Sequence, residues 1–191
     1  MGGFGSAARE RVKVHVRLRP ANHNDERRGD SATGEGINVS GDGEISITRG
    51  IGDIKKFRFD SFLGPEAQQA DVFAAAAHSI IEDVTNGYNG CIMCYGQTGT
   101  GKTYTLGNDS TEGMTMSEQT MGITGRALRQ IFDTVRNDSA SDFQVSISYV
   151  QIYMEMIQDL LEVKNDQVGS ALSTLALRAN IAVSYALLAA L

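Results

Sequence analysis

Residues 96–103 read Gly-Gln-Thr-Gly-Thr-Gly-Lys-Thr and fit G-x-x-x-x-G-K-[ST] without a mismatch. These residue types at this spacing bind phosphate. Gly96, Gly99 and Gly101 let the backbone curl, so that the N–H groups carried through Gln97, Thr98 and Thr100 turn toward one anion. Lys102 adds a mobile cation for the outer phosphates. Thr103 offers a hydroxyl to Mg²⁺, a hard ion that takes oxygen ligands. A helix starting near Lys102 would add its positive dipole end. The ligand implied is a nucleoside triphosphate with Mg²⁺. The competing reading is a Gly-rich surface turn. The loop alone does not choose among kinases, GTPases, helicases and motors.

The elements around the loop fit this reading. Cys91-Ile-Met-Cys-Tyr95 is a short apolar run, typical of a strand buried on both faces. Upstream, Val12, Val14, Val16 and Leu18 alternate with Lys13, His15, Arg17 and Arg19, which predicts a half-buried strand ended by Pro20. Residues 21–44 are polar and Gly-rich, and predict a surface loop. "EISITRG" and "IKKFRFD" predict a hairpin through Gly50 and Gly52. "PEAQQADVFAAAAHSIIEDVTNG" predicts one helix, with Val72, Phe73, Ala76, Ala77, Ile80, Ile81 and Val84 inward and Asn86-Gly87 as its stop. "GITGRALRQIFDTVRND" predicts a second, burying Ile123, Ala127, Leu128, Ile131, Phe132 and Val135. "FQVSISYVQIYMEM" predicts a long strand whose alternation slips at Val150, and "EMIQDLLEV" a short helix.

Bulk composition narrows the class. The chain has 191 residues, 41% hydrophobic and 21% charged, which suits one globular domain. The net charge of -6 argues against general nucleic-acid binding. Cys91 and Cys94 form a C-x-x-C pair, but no second pair completes a zinc site, and they read as small buried apolar residues in a reducing, cytoplasmic setting. Gly2 and Ser6 touch the myristoylation pattern, which is short enough to match by chance. The apolar tail is interrupted by Arg178 and Asn180, and a bilayer span needs about 20 apolar residues, so no membrane anchor is expected.

Five segments, in order, resemble the kinesin motor domain: "VKVHVRLRP", "FRFDSFLG" with "QADVF", "GYNGCIMCYGQTGTGKTYTLG", "GITGRALRQIF" and "VSISYVQIYMEMIQDLL". Gly125 stands where the family usually has Pro, and Gln151 where it has Glu. "YMEMIQDLL" is most similar to the armadillo-repeat-containing kinesins. The resemblance implies an α/β, P-loop NTPase, three-layer fold, truncated so that the central sheet is incomplete. It implies ATP with Mg²⁺ as ligand, with Arg17, Arg19 and Pro20 bordering the adenine and Tyr104 stacking from the other side. A guanidinium, a flat apolar ring and an aromatic suit an adenine face. Microtubules are the implied partner and the microtubule cytoskeleton the implied location.

The resemblance divides the chain into a tail of residues 1–10, a partial motor domain of 11–163 and an apolar, helical tail of 164–191. No stretch like N-x-x-S-S-R-S-H or D-L-A-G-S-E occurs. Those segments hold Mg²⁺ and orient water in the family, so hydrolysis at motor rates is not expected from these residues. The family's sheet also places two strands beside Cys91–Tyr95, and one beside Phe143–Tyr153, that the resemblance does not reach. Unpaired buried backbone groups cost about 1–3 kcal/mol each, so an unstable sheet is expected unless something completes it. Two other readings stay open. One is a nucleotide-binding module without turnover. The other is a different P-loop phosphotransferase, with residues 27–36 as its lid.

Overall fold

The computed structural model describes residues 12–21, 36–40, 43–49, 53–107, 117–161 and 187–190. The patterns at Gly2 and Ser6 and in residues 27–35 lie outside the described residues, as do 164–186 of the tail.

The central element is β1 (Val14–Arg17), in a four-stranded parallel sheet with β5 (Ser61–Leu63), β6 (Met93–Tyr95) and β9 (Leu187–Ala190), in the order β5-β1-β9-β6. β1 pairs β5 from His15↔Ser61 to Arg17↔Leu63. It pairs β9 from Val14↔Leu187 to Arg17↔Ala190. β9 then pairs β6 from Met93↔Leu187 to Tyr95↔Ala189. Two expectations are corrected here. Residues 187–190 are extended rather than helical, and they supply β6 with a neighbour on one side. β1 is buried on both faces rather than one: Val16 is fully buried, and His15 and Arg17 are buried too. The polar face tolerates this because its groups are bonded. His15 Nδ1 lies 2.7 Å from Ser61 Oγ, and Arg17 finds the partners described below.

Between β1 and β5 the chain forms a separate antiparallel sheet. β2 (Ile37–Val39), β3 (Glu44–Arg49) and β4 (Asp53–Arg58) form a meander in that order. The hairpin read from Gly50 and Gly52 is there, in register Arg49↔Asp53. The stretch expected to be all loop contributes β2, which pairs Ile37↔Ile47.

The 65–87 helix is two helices, α1 (Gln69–Ala76) and α2 (His78–Thr85). Asp71 reaches back to accept the Gln68 N–H at 2.8 Å, closing the first turn. The ladder bends at Ala77, where φ opens to -127°. Its bonds continue across the bend, Ala77 N–H to Phe73 and Ile81 N–H to Ala77. Two adjacent methyl side chains, Ala76 and Ala77, press there against Ile123. Gly87, at φ +93°, follows the end of α2 as the Asn-Gly pair predicted. α4 (Ile123–Asn137) matches the second helix, but only Ile123 is buried and Phe132 is exposed. The core is Val72, Ala76, Ala77 and Ile123, with Leu63, Phe73, Ile92 and Cys94 packed on it. Burying each large aliphatic there contributes about 1.5–3 kcal/mol.

Two strand expectations fail. Met93 and Tyr95 are exposed, since β6 is the sheet's edge and not a strand covered on both faces. Residues 143–156 do not form one long strand. β7 (Val150–Tyr153) and β8 (Met156–Asp159) make an exposed hairpin, and β8 replaces the expected short helix. The reversal falls at Met154 and Glu155, at φ +50° and +61°. Such turns usually select Asn-Gly or Asp-Gly, so the sequence carried no turn signal there.

Candidate functional site

The phosphate-loop sequence runs off β6 into α3 (Lys102–Leu106). Gly99 and Gly101 sit at φ +86° and +94°, a region that side chains resist, and a Cβ on Gly99 would meet nothing within 4 Å. α3 has only five residues, so its dipole is weaker than a long helix would supply. The cation sits inside the loop. Lys102 Nζ donates to the carbonyls of Gly96 at 2.8 Å and Gln97 at 2.6 Å. Thr100 Oγ1 donates to the same Gln97 carbonyl at 2.8 Å, tightening the turn. A hollow of about 270 Å³ opens here, lined by Thr98, Gly99, Gly101, Lys102, Thr103 and Tyr104.

The other predicted residues divide. Arg19 lies beside the loop, its Cδ 3.9 Å from where a Cβ on Gly101 would be, and its Nη1 donates to the Pro20 carbonyl at 3.0 Å. Pro20 is exposed. Tyr104 is 43% exposed, so its ring is available on the hollow's wall. Arg17 is only 6% exposed and does not line the hollow. Its guanidinium stands 5.3 Å from the Tyr104 ring centroid and donates to Gln69 Oε1 at 2.9 Å and Thr105 Oγ1 at 2.8 Å. Burial pulls its pKa below the ordinary arginine value, against smaller opposing effects of Tyr104 and Cys94. The structure thus brings Arg17 to the back of Tyr104 and Arg19 to the loop.

Gln69 and Thr105 were not singled out from sequence. Both are 2% exposed. Gln69 Nε2 donates to the Tyr104 carbonyl at 2.7 Å and the Thr120 carbonyl at 3.3 Å. The one sequence signal was a polar residue in the first turn of a helix whose inward positions are otherwise apolar. The two cysteines are free thiols, each pushed up to about 11 by burial, with Arg17 and Lys102 pulling Cys94 back slightly. Among the described residues no group of three or more His, Cys, Asp or Glu is placed to hold a metal ion.

A larger hollow, about 400 Å³, lies between α2 and α4 beside Phe73, His78 and Glu118. Its arginines already face a carboxylate. Arg129 is bonded to Glu118, and Arg126 Nη1 lies 3.7 Å from the same group. That pairing, with its exposed position, makes it a poorer phosphate site than the loop. The Glu118 carboxyl is held below its usual range by the Arg129 hydrogen bond first. No helix among the described residues is long and apolar enough to cross a membrane.

Comparison with known proteins agrees with the motifs. The kinesin motor domain family matches residues 17–183, past the boundary at Val163 expected from sequence. Kinesin-like protein KIN-UB of Oryza sativa subsp. japonica is 37% identical over 165 residues, covering 86% of this chain and 18% of that protein. Kinesin-like protein 3 of Schizosaccharomyces pombe is 37% identical over 158 residues, covering 82% of this chain and 27% of that protein. Kinesin heavy chain isoform 5C of Homo sapiens is 39% identical over 159 residues, covering 83% of this chain and 15% of that protein. Identities this even single out no branch of the family, the armadillo-repeat kinesins included. The chain therefore spans only about a fifth of the length of these relatives, and over that span, with a phosphate loop between a parallel strand and a short helix, it belongs to the kinesin motor-domain family, a P-loop NTPase fold.

Proposed function

We propose that the chain binds ATP with Mg²⁺ at Gly96–Thr103, as the nucleotide-holding part of a microtubule-based motor acting on the cytoplasmic microtubule cytoskeleton. One observation carries the reading. The Lys102 ammonium is drawn into the loop onto two neutral carbonyls, at 2.8 and 2.6 Å, at the wall of an open hollow. Carbonyl dipoles hold a cation more weakly than phosphate charges do, so an entering polyphosphate has a ready counter-charge. The residues present fit the ligand. Lys102 and the backbone of Gly96–Gly101 would hold phosphate oxygens. Thr103, exposed, would offer its hydroxyl to Mg²⁺, whose contribution when bound is to neutralise phosphate charge. Tyr104 would take the adenine, with Arg19, which lies beside Gly101, and its chain neighbour Pro20.

Residues 1–191 contain no switch-like stretch. We therefore expect them to bind nucleotide without turning it over at motor rates. Titration of a fluorescent ATP analogue into the purified chain with Mg²⁺, beside Lys102→Ala, tests the site. Saturable binding that Lys102→Ala weakens by ten- to a hundredfold, one or two charge-assisted bonds, is expected. Binding unchanged by Lys102→Ala would move the nucleotide elsewhere. Microtubule-stimulated phosphate release by the same preparation would overturn the binding-only reading.

A further inference from the structure

We infer that Gln69 and Thr105 are positioning residues that set selectivity for the base, by fixing Tyr104 through Arg17 from behind the site. The inference rests on the nucleotide reading above. Gln69 uses both ends of its carboxamide. Oε1 accepts from Arg17 at 2.9 Å, and Nε2 donates to the Tyr104 carbonyl at 2.7 Å. One side chain on α1 therefore holds β1 and the backbone of α3 together. Its second donor bond, to Thr120 at 3.3 Å, ties in the turn before α4.

Arg17 is fixed by the same arrangement. Gln69 and Thr105 hold its Nη1 from two elements, at 2.9 and 2.8 Å, and its Cζ then sits 5.3 Å from the Tyr104 ring centroid. Tyr104 is thus gripped twice, by its carbonyl and by one ring face, while the residue stays 43% exposed at the hollow. Among the described residues no buried side-chain N or O lacks a partner. A fully satisfied buried polar network of this kind has one good arrangement, and partial loss leaves charged groups unpaired. The grip acts on the Tyr104 ring, the Tyr104 carbonyl and Thr105, and none of its bonds reaches Lys102 or the carbonyls that hold it. Loosening it should therefore cost affinity for the base and spare affinity for the phosphates.

The test compares MgATP with magnesium tripolyphosphate, which carries the phosphates without a base, by calorimetric titration of the full chain. Thr105→Val keeps volume and removes one acceptor from Arg17. Gln69→Glu keeps the acceptor and removes both donors. Each is expected to weaken MgATP about tenfold while tripolyphosphate affinity stays within about twofold, and Thr105→Ser to restore MgATP binding. Parallel loss of both ligands, or loss of neither, overturns the inference alone. A wild-type chain that binds neither ligand overturns the nucleotide reading and this inference with it. Should Gln69→Glu not fold, Thr105→Val and its serine rescue decide the matter.

Discussion

A Cβ built on Gly122 would lie 2.4 Å from the backbone nitrogen of Gly107 and 2.5 Å from its Cα. The residue that ends α3 and the residue that opens α4 thus touch backbone to backbone. Neither atom met by that Cβ is the end of a flexible side chain, so the chain itself must move. We expect Gly122→Ala to destabilise the fold by about 1–3 kcal/mol, the usual cost of overpacking. Gly87→Ala is the control. It meets nothing within 4 Å and carries only its φ of +93°, a cost of about 1–2 kcal/mol. Urea midpoints measure both. A Gly122→Ala chain as stable as wild type would show that the α3 end is not held against α4.

β9 makes a second prediction. Leu188 pairs with His15 on one side and Cys94 on the other. Proline at a position within a central strand cannot donate to the ladder. Leu188→Pro should lower stability by at least about 1–3 kcal/mol, the cost of a buried backbone partner left unbonded, and raise binding of a hydrophobic dye. Deleting residues 187–191 should do the same. An unchanged midpoint in both would remove β9 from the sheet.

His15 makes stability depend on pH. Burial lowers its pKa from the ordinary 6.5, and Asp60 opposes that only in part. The unfolded chain therefore takes up this proton first as pH falls. Stability is full above about 6.5 and is lost as pH drops from there toward the folded value. Wild type should lose more of its urea midpoint between pH 7.5 and pH 5.5 than His15→Gln does. Equal losses would show that His15 does not titrate differently on folding.

The thiols make a fourth. With Cys91 and Cys94 both pushed up to about 11, little thiolate exists at pH 8. Alkylation of the folded chain by iodoacetamide should run roughly a hundredfold slower than that of free cysteine. The urea-unfolded chain should react at the free rate. Fast labelling of the folded chain would instead mark one of the pair as a reactive thiol.

Much of the site was legible in the order of residues, because its chemistry is local. The phosphate loop needs glycines at set offsets, a lysine and a hydroxyl, all within eight positions, and the structure keeps Gly99 and Gly101 at the positive φ that such a curl demands. The strand at Val16, the pairing of β3 with β4, the stop at Gly87 and the extent of α4 were legible for the same reason, since each rests on periodicity or on one turn residue. The family followed from five short motifs in order.

What the order of residues left undecided was set by partners far away in the chain. Arg17 read as a solvent-side or adenine-side cation. Its burial depends on Gln69 and Thr105, 52 and 88 positions on. His15 read as the wet face of a strand, and Ser61 and the two flanking strands made it interior. The C-terminal residues read as helical because apolar runs suit either state, and the open ladder between β1 and β6 selected the extended form. At Met154-Glu155 the reversal needed φ values that those side chains do not advertise. Spacing determined the family and the kind of ligand proposed for this chain. Tertiary structure decided which side chains line the hollow and which are buried behind it, because burying a polar group is tolerable only where another element brings its hydrogen-bond partner.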